Sequence, residues 1–178
     1  QLPLRILAIL AVLFLAWTLR ARAVEKLSID FDEDDYMRAG QEYAHLIRTS
    51  NWSGFLETNY RSEHPPLAKI IIGFSLLSAP EEELTPDAAT TAGPNKYLPR
   101  TLLKPARTAN AILGTLTVLA LAIINPLAGL LLATHTFTIK YVSQIMLEAL
   151  PALTSLITVL AYVQSKKRNT NVNWLIVS

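Results

Sequence analysis

"LAKIIIGFSLLSA", Leu67 to Ala79, decides how this chain is built. It is apolar enough to suggest a membrane span, but it has only thirteen residues and carries Lys69. A helix of that length rises about 20 Å, well short of the roughly 30 Å of a bilayer's hydrocarbon core. Leu67, Ile70, Ile71, Phe74 and Leu77 recur at amphipathic spacing, with Lys69, Gly73 and Ser75 largely elsewhere. That pattern predicts a helix lying in the membrane interface. Pro65 and Pro66 suit its first turn, where a missing N–H does little harm.

Longer blocks lie on either side. Leu2 to Leu19 is apolar except for Arg5 and is about long enough to cross. A signal peptide is the competing reading, because "ARA" at Ala21 to Ala23 has the small-x-small form of a cleavage site. Thr108 to Ile124 carries no charge, and Asn125-Pro126 then breaks the chain. The next block turns polar in "THTFTIKYVSQ", and Leu150 to Val163 is again uncharged. The expected spans are about 2–19, 107–124, 126–140 and 149–164, with another starting at 173 in "VNWLIVS". That apolar tail makes the chain read as the N-terminal fragment of a longer protein.

Composition agrees. The chain has 178 residues, 51% of them hydrophobic, and a formal net charge of +2. The apolar residues sit in blocks, as in an all-α membrane protein. With no cysteine there is neither a disulfide framework nor a thiolate metal site. The small net charge gives no case for nucleic acid.

Sidedness follows by counting back from the basic cluster in "QSKKRNTN", which reads as cytoplasmic. The count closes if Leu67 to Ala79 does not cross. Residues 20–106 then form one long outer loop, with Arg20 and Arg22 on the outside against the usual charge bias. Asp32 to Asp35, His64, Arg107 and Glu148 are all expected at that outer face.

The acids of "DFDEDDYMRAGQEYAHLI" have an ordinary reading. Asp32 with Asp35 forms a variant capping box, and acids in a first turn favour the helix dipole. Tyr36, Gly40, Tyr43, Ala44 and Ile47 then mark one face of an amphipathic helix.

A second reading comes from resemblance. "DEDDY", with "HPPLAK" about thirty residues later, Arg107 in "ARTANAILG" and Glu148 in "IMLEAL", resembles the protein O-mannosyltransferase family and its bacterial and archaeal relatives. These are membrane glycosyltransferases of the C-type fold. The match runs in order over the whole chain. It departs at Glu148, where the family commonly has Asp, and at Asn125, where the usual basic residues are missing.

The resemblance implies the N-terminal part of a C-type transmembrane bundle, whose long first outer loop carries juxtamembrane helices. It implies inverting transfer of a sugar from a polyprenyl phosphate to a hydroxyl on a protein, glycan or lipid, at the outer face of a bacterial or archaeal plasma membrane. Catalysis falls to Asp32 as general base, with Glu33 beside it. Substrate binding falls to Asp34, Tyr36, His64, Lys69, Arg107 and Glu148, with Arg107 and Lys69 as cations for the leaving phosphate. The lipid phosphate replaces a nucleotide, and no phosphate-cradling glycine run is present. No metal site is assigned, although adjacent carboxylates could take a divalent cation. The fragment alone is not expected to act. The rival readings are a transporter, and a non-catalytic protein that binds a lipid-linked sugar.

Overall fold

The computed structural model describes residues 2–58, 60–85 and 98–168. The span expected from 173 and part of the basic cluster lie outside them. Among the described residues every regular element is helical: α1 (Leu2–Lys26), α2 (Glu33–Arg48), α3 (Trp52–Glu57), α4 (Pro66–Leu76), α5 (Arg100–Ile124), α6 (Pro126–Thr134), α7 (Thr136–Val142) and α8 (Ala149–Arg168).

Two of these, α1 and α5, are long and apolar enough to cross a membrane. Both outrun the apolar blocks. α1 continues past Leu19 through Lys26, and α5 begins at Arg100 with Pro105 inside it. They pack antiparallel, and a pair of arginines shows it. Arg5, in the first turns of α1, donates to the carbonyls of Ile123 and Ile124, the orphan acceptors at the end of α5. Arg107, near the start of α5, donates to the carbonyls of Val24 and Leu27 at the end of α1. Between the two ends Val12, Ala16, Val118, Ala122 and Ala133 form a buried seam. Small residues there let the helix axes approach closely. The outer face of α1 is apolar and bare, with Leu2, Leu4, Leu7 and Phe14 all more than 60% exposed.

Asn125 and Pro126 turn the chain as their sequence predicts. The extended Asn125 caps α6 by accepting from the Leu127 N–H, and Pro126 takes the first helical position. The block expected to span at 126–140, however, is not one helix. It breaks at His135, whose side chain accepts from the Thr138 N–H and starts α7. The physical cause comes from α1. Arg20 is fully buried and donates to the carbonyls of Ala133 and Leu132 at the break, the latter accepting also from the His135 N–H. Arg20 therefore does not sit in an outer loop.

The second layer is α2 on α4, a short pair across the end of the bundle. Of the face predicted for α2, Tyr36, Gly40, Tyr43 and Ala44 are buried and Ile47 half-buried, while Glu33, Asp34, Asp35 and Met37 bury the first turn on its other sides too. α4 buries Ala68, Lys69, Ile72, Gly73 and Leu76, leaving Leu67 and Phe74 exposed. Eleven residues rise about 16 Å, so α4 cannot cross a bilayer. Of the stripe expected to meet the interface, Leu67 and Phe74 are exposed and Ile70 and Ile71 half-buried, whereas Leu77 lies past the helix end and packs on the core. The crossing is tight: a Cβ on Gly73 would stand 2.8 Å from the Tyr43 Cβ and 3.0 Å from the Gly40 carbonyl. Beneath it, Met37, Ile72, Leu76, Leu102, Ala106 and Ile145 form a core joining this layer to α5.

Candidate functional site

The N-terminus of α2 lies at the end of the bundle where α1 stops and α5 starts. The segment 143–148 arrives there too, fixed by Asn110 of α5, whose side-chain amide donates to the carbonyls of Gln144 and Met146. The acids are thus held between three elements.

Glu33 is at the centre and fully buried. Its Oε1 accepts from Arg107 Nε at 2.8 Å and from the Ile145 N–H at 2.7 Å. Its Oε2 accepts from Arg107 Nη2 at 2.6 Å and from the Asp30 N–H at 2.9 Å. Arg107 spends its remaining donors on the carbonyls of Val24, Leu27 and Ser28. All five N–H groups of the guanidinium therefore have protein acceptors. In this structure Arg107 and Glu33 tie α5, the end of α1, the start of α2 and the 143–148 segment together.

Asp32 is the N-cap residue of α2, but its side chain makes no capping hydrogen bond. The capping box expected of Asp32 and Asp35 is not formed. Asp35 turns instead to Arg61, at 2.5 Å, and accepts from the Tyr60 hydroxyl at 3.1 Å. A charged guanidinium and a phenol outcompete the single backbone N–H that a box would supply. Asp34 is buried. Asp32 is half-buried, which leaves it the most open carboxylate in the run Asp32 to Asp35.

Tyr36 sits one turn on and is 8% exposed. Burial, reinforced by the charges of Asp32, Glu148 and Asp35, pushes its phenol up to about 12. Glu148 is exposed, and its carbonyl accepts from the Ala152 N–H at the start of α8. The His64 ring packs on Tyr36 at 5.4 Å between centroids. Its Nδ1 is buried and has no hydrogen-bond partner among the described residues.

Lys69, expected as a cation for phosphate, is fully buried in α4. It donates to the carbonyls of Tyr60 and Arg61 at 2.8 and 3.0 Å, and burial lowers its pKa. These bonds hold Arg61 at φ 56°, a left-handed conformation that costs a non-glycine residue of order 1 kcal/mol. Lys69 thus bears on the site through Arg61.

The structure therefore gathers Asp32, Glu33, Asp34, Tyr36, His64, Arg107 and Glu148 at one end, with Lys69 one contact behind. Sequence reasoning missed Arg61, Asn110 and Gln144. Asn110 had a signal, as a polar side chain inside an uncharged apolar block. Arg61 had none. Gln144 donates to the Ser28 carbonyl and closes the same joint. Among the described residues no group of three or more His, Asp or Glu side chains could hold a metal ion. A separate cavity of about 380 Å³ lies along α2, lined by Gln41, His45 and Leu76 among others, and includes none of the expected site residues. Compared with family models, curated proteins and solved structures, the chain matches none of them.

Proposed function

We propose that this end of the molecule transfers a sugar from a polyprenyl-phosphate donor to a hydroxyl acceptor at a membrane surface, with Asp32 as general base. One observation carries the choice of residue. Glu33 and Asp35 are committed to Arg107 and Arg61, whereas Asp32 makes no cap bond and remains part-open at the helix start. A rigid helix N-terminus beside a locked ion pair is a good mount for a base, because positioning and not basicity is the scarce quantity.

In this reaction Asp32 takes the proton of the acceptor hydroxyl as its oxygen attacks the anomeric carbon. The bond from that carbon to the phosphate oxygen breaks on the opposite face, and the phosphate departs with the electron pair. Inversion follows. We assign the departing charge to Arg61, which pairs with Asp35 and Glu63 but whose side chain is 38% exposed against 1% for Arg107. The Tyr36 phenol, which stays protonated at neutral pH, is a donor for the acceptor or the sugar.

A transporter would use the open carbonyls of a broken helix to hold its cargo. Here Arg20 occupies those at the α6–α7 break, which argues for the enzyme. The test is sugar transfer by the full-length protein before and after Asp32→Asn.

A further inference from the structure

At the same end of the bundle, α1 and α5 part to leave a cleft of about 560 Å³. Val24, Leu27 and Leu103 give it apolar walls, while Glu25, Arg100 and Lys104 bring charge to it. Clefts of several hundred Å³ hold organic ligands of moderate size. Arg107 stands at the back, but its charge is already met by Glu33. In front, Lys104 pairs with Glu25 at 2.7 Å, and Arg100 and Lys26 lie within electrostatic reach of the same carboxylate. Among the described residues that line the cleft, Arg100 and Lys104 thus stand against one acid, Glu25, which leaves the mouth net positive.

Lys104 also borders a neighbouring, mostly apolar groove, lined by Thr108 and Ile112 of α5 and by Ser75, Ala79 and Pro80 after α4. Ile112 and Leu116 follow Lys104 and Thr108 at four-residue spacing on α5, and both are exposed. Phe14 and Trp17 are exposed on α1. A cationic mouth above an apolar wall, at the end of two helices that can span, matches one ligand chemistry: an anionic headgroup on hydrocarbon chains. Lys104 is 66% exposed at its side chain, so it can turn from Glu25 to a phosphate by a rotamer change.

We infer that this cleft binds the phosphate headgroup of an anionic glycerophospholipid, with Arg100 and Lys104 on the phosphate and the acyl chains along Ile112 and Leu116. The inference rests on α1 and α5 lying in a bilayer and not on the sugar-transfer reading. Glu25 is the built-in competitor for the same cations.

Binding is measured on delipidated full-length protein in detergent, from the thermal shift as lipid is added. Phosphatidylglycerol, phosphatidylcholine, polyprenyl phosphate and inorganic phosphate serve as separate probes. Phosphatidylglycerol stabilises the wild type. Arg100→Gln with Lys104→Gln weakens that binding about 30-fold, at roughly fivefold per lost charge. Glu25→Gln removes the competitor and shifts the titration to lower lipid. Opposite signs from neighbouring surface residues cannot come from general damage to the fold. Equal stabilisation by phosphatidylcholine overturns the proposal, and so does an unchanged titration in the double variant or weaker binding in Glu25→Gln. A shift reproduced by inorganic phosphate would make this a soluble-anion site. Preference for polyprenyl phosphate would make it part of the donor site. Either result replaces the inference. Since nothing here reads sugar transfer, the two proposals fail independently.

Discussion

Glu33 and Arg107, separated by 74 residues in sequence, meet in a buried two-point ion pair at 2.8 and 2.6 Å, with every donor and acceptor of both groups used. A pair with 1% and 0% side-chain exposure offers little to a substrate. What it fixes is the place where α2 begins, and therefore where Asp32 points.

Removing one partner strands the other charge in a dry site. Glu33→Gln or Arg107→Met should each destabilise the protein by about 3–5 kcal/mol. The double variant should cost less than the sum, because neither charge is then left alone. Thermal unfolding of the four proteins in one detergent gives the coupling. Strict additivity would mean that the pair does not hold α2.

Tyr36 predicts a loss of stability in alkali. Its phenol is pushed up to about 12, chiefly by burial, whereas the unfolded chain ionises near 10. The raised value means the folded state keeps a proton that the unfolded state gives up. The stabilisation is whole below about pH 10 and is lost as pH rises toward about 12, on the order of 2 kcal/mol in all. Tyr36→Phe should make the fall of the unfolding midpoint across that window shallower, leaving what Tyr43 and Lys140, both also raised, contribute. A wild-type midpoint as flat as the variant's would show that the phenol is not held neutral.

Gly73 tests the α2–α4 crossing. A methyl group there meets Tyr43 and the Gly40 carbonyl, and a backbone oxygen cannot step aside as a side chain can. Gly73→Ala should cost about 1–3 kcal/mol. Since α2 carries the acids, any sugar transfer should fall with it. Unchanged thermal stability would mean that the helices cross farther apart.

Some of this was legible in the sequence. The face of α2 follows from the spacing of Tyr36, Gly40, Tyr43 and Ala44. The shortness of the Leu67 block put it outside the spans, and Asn125-Pro126 announced its turn. The break at His135 was hidden. "LLLATHTFTI" turns polar without a glycine or proline to mark a break, and the arginine that donates to its carbonyls lies 112 and 113 residues away. The acidic run was legible as a cluster but not in its division of labour. Whether Asp32 or Asp35 serves the helix depends on Arg61, which arrives from a loop with no periodicity. Lys69 was misleading for the same reason. A lysine on an apolar helix reads as a cation at a surface, yet this one turns inward to two carbonyls.

Asp32 is the proposed base. The direct measurement is sugar transfer from a polyprenyl-phosphate donor by full-length protein carrying Asp32→Asn, beside Asp35→Asn and wild type, in matched membranes. A fall of about 10² to 10⁴ in rate is expected for Asp32→Asn with folding intact. Asp35→Asn should mainly lower thermal stability through its lost pair with Arg61. Near-normal transfer by Asp32→Asn with a dead but folded Asp35→Asn would contradict this assignment.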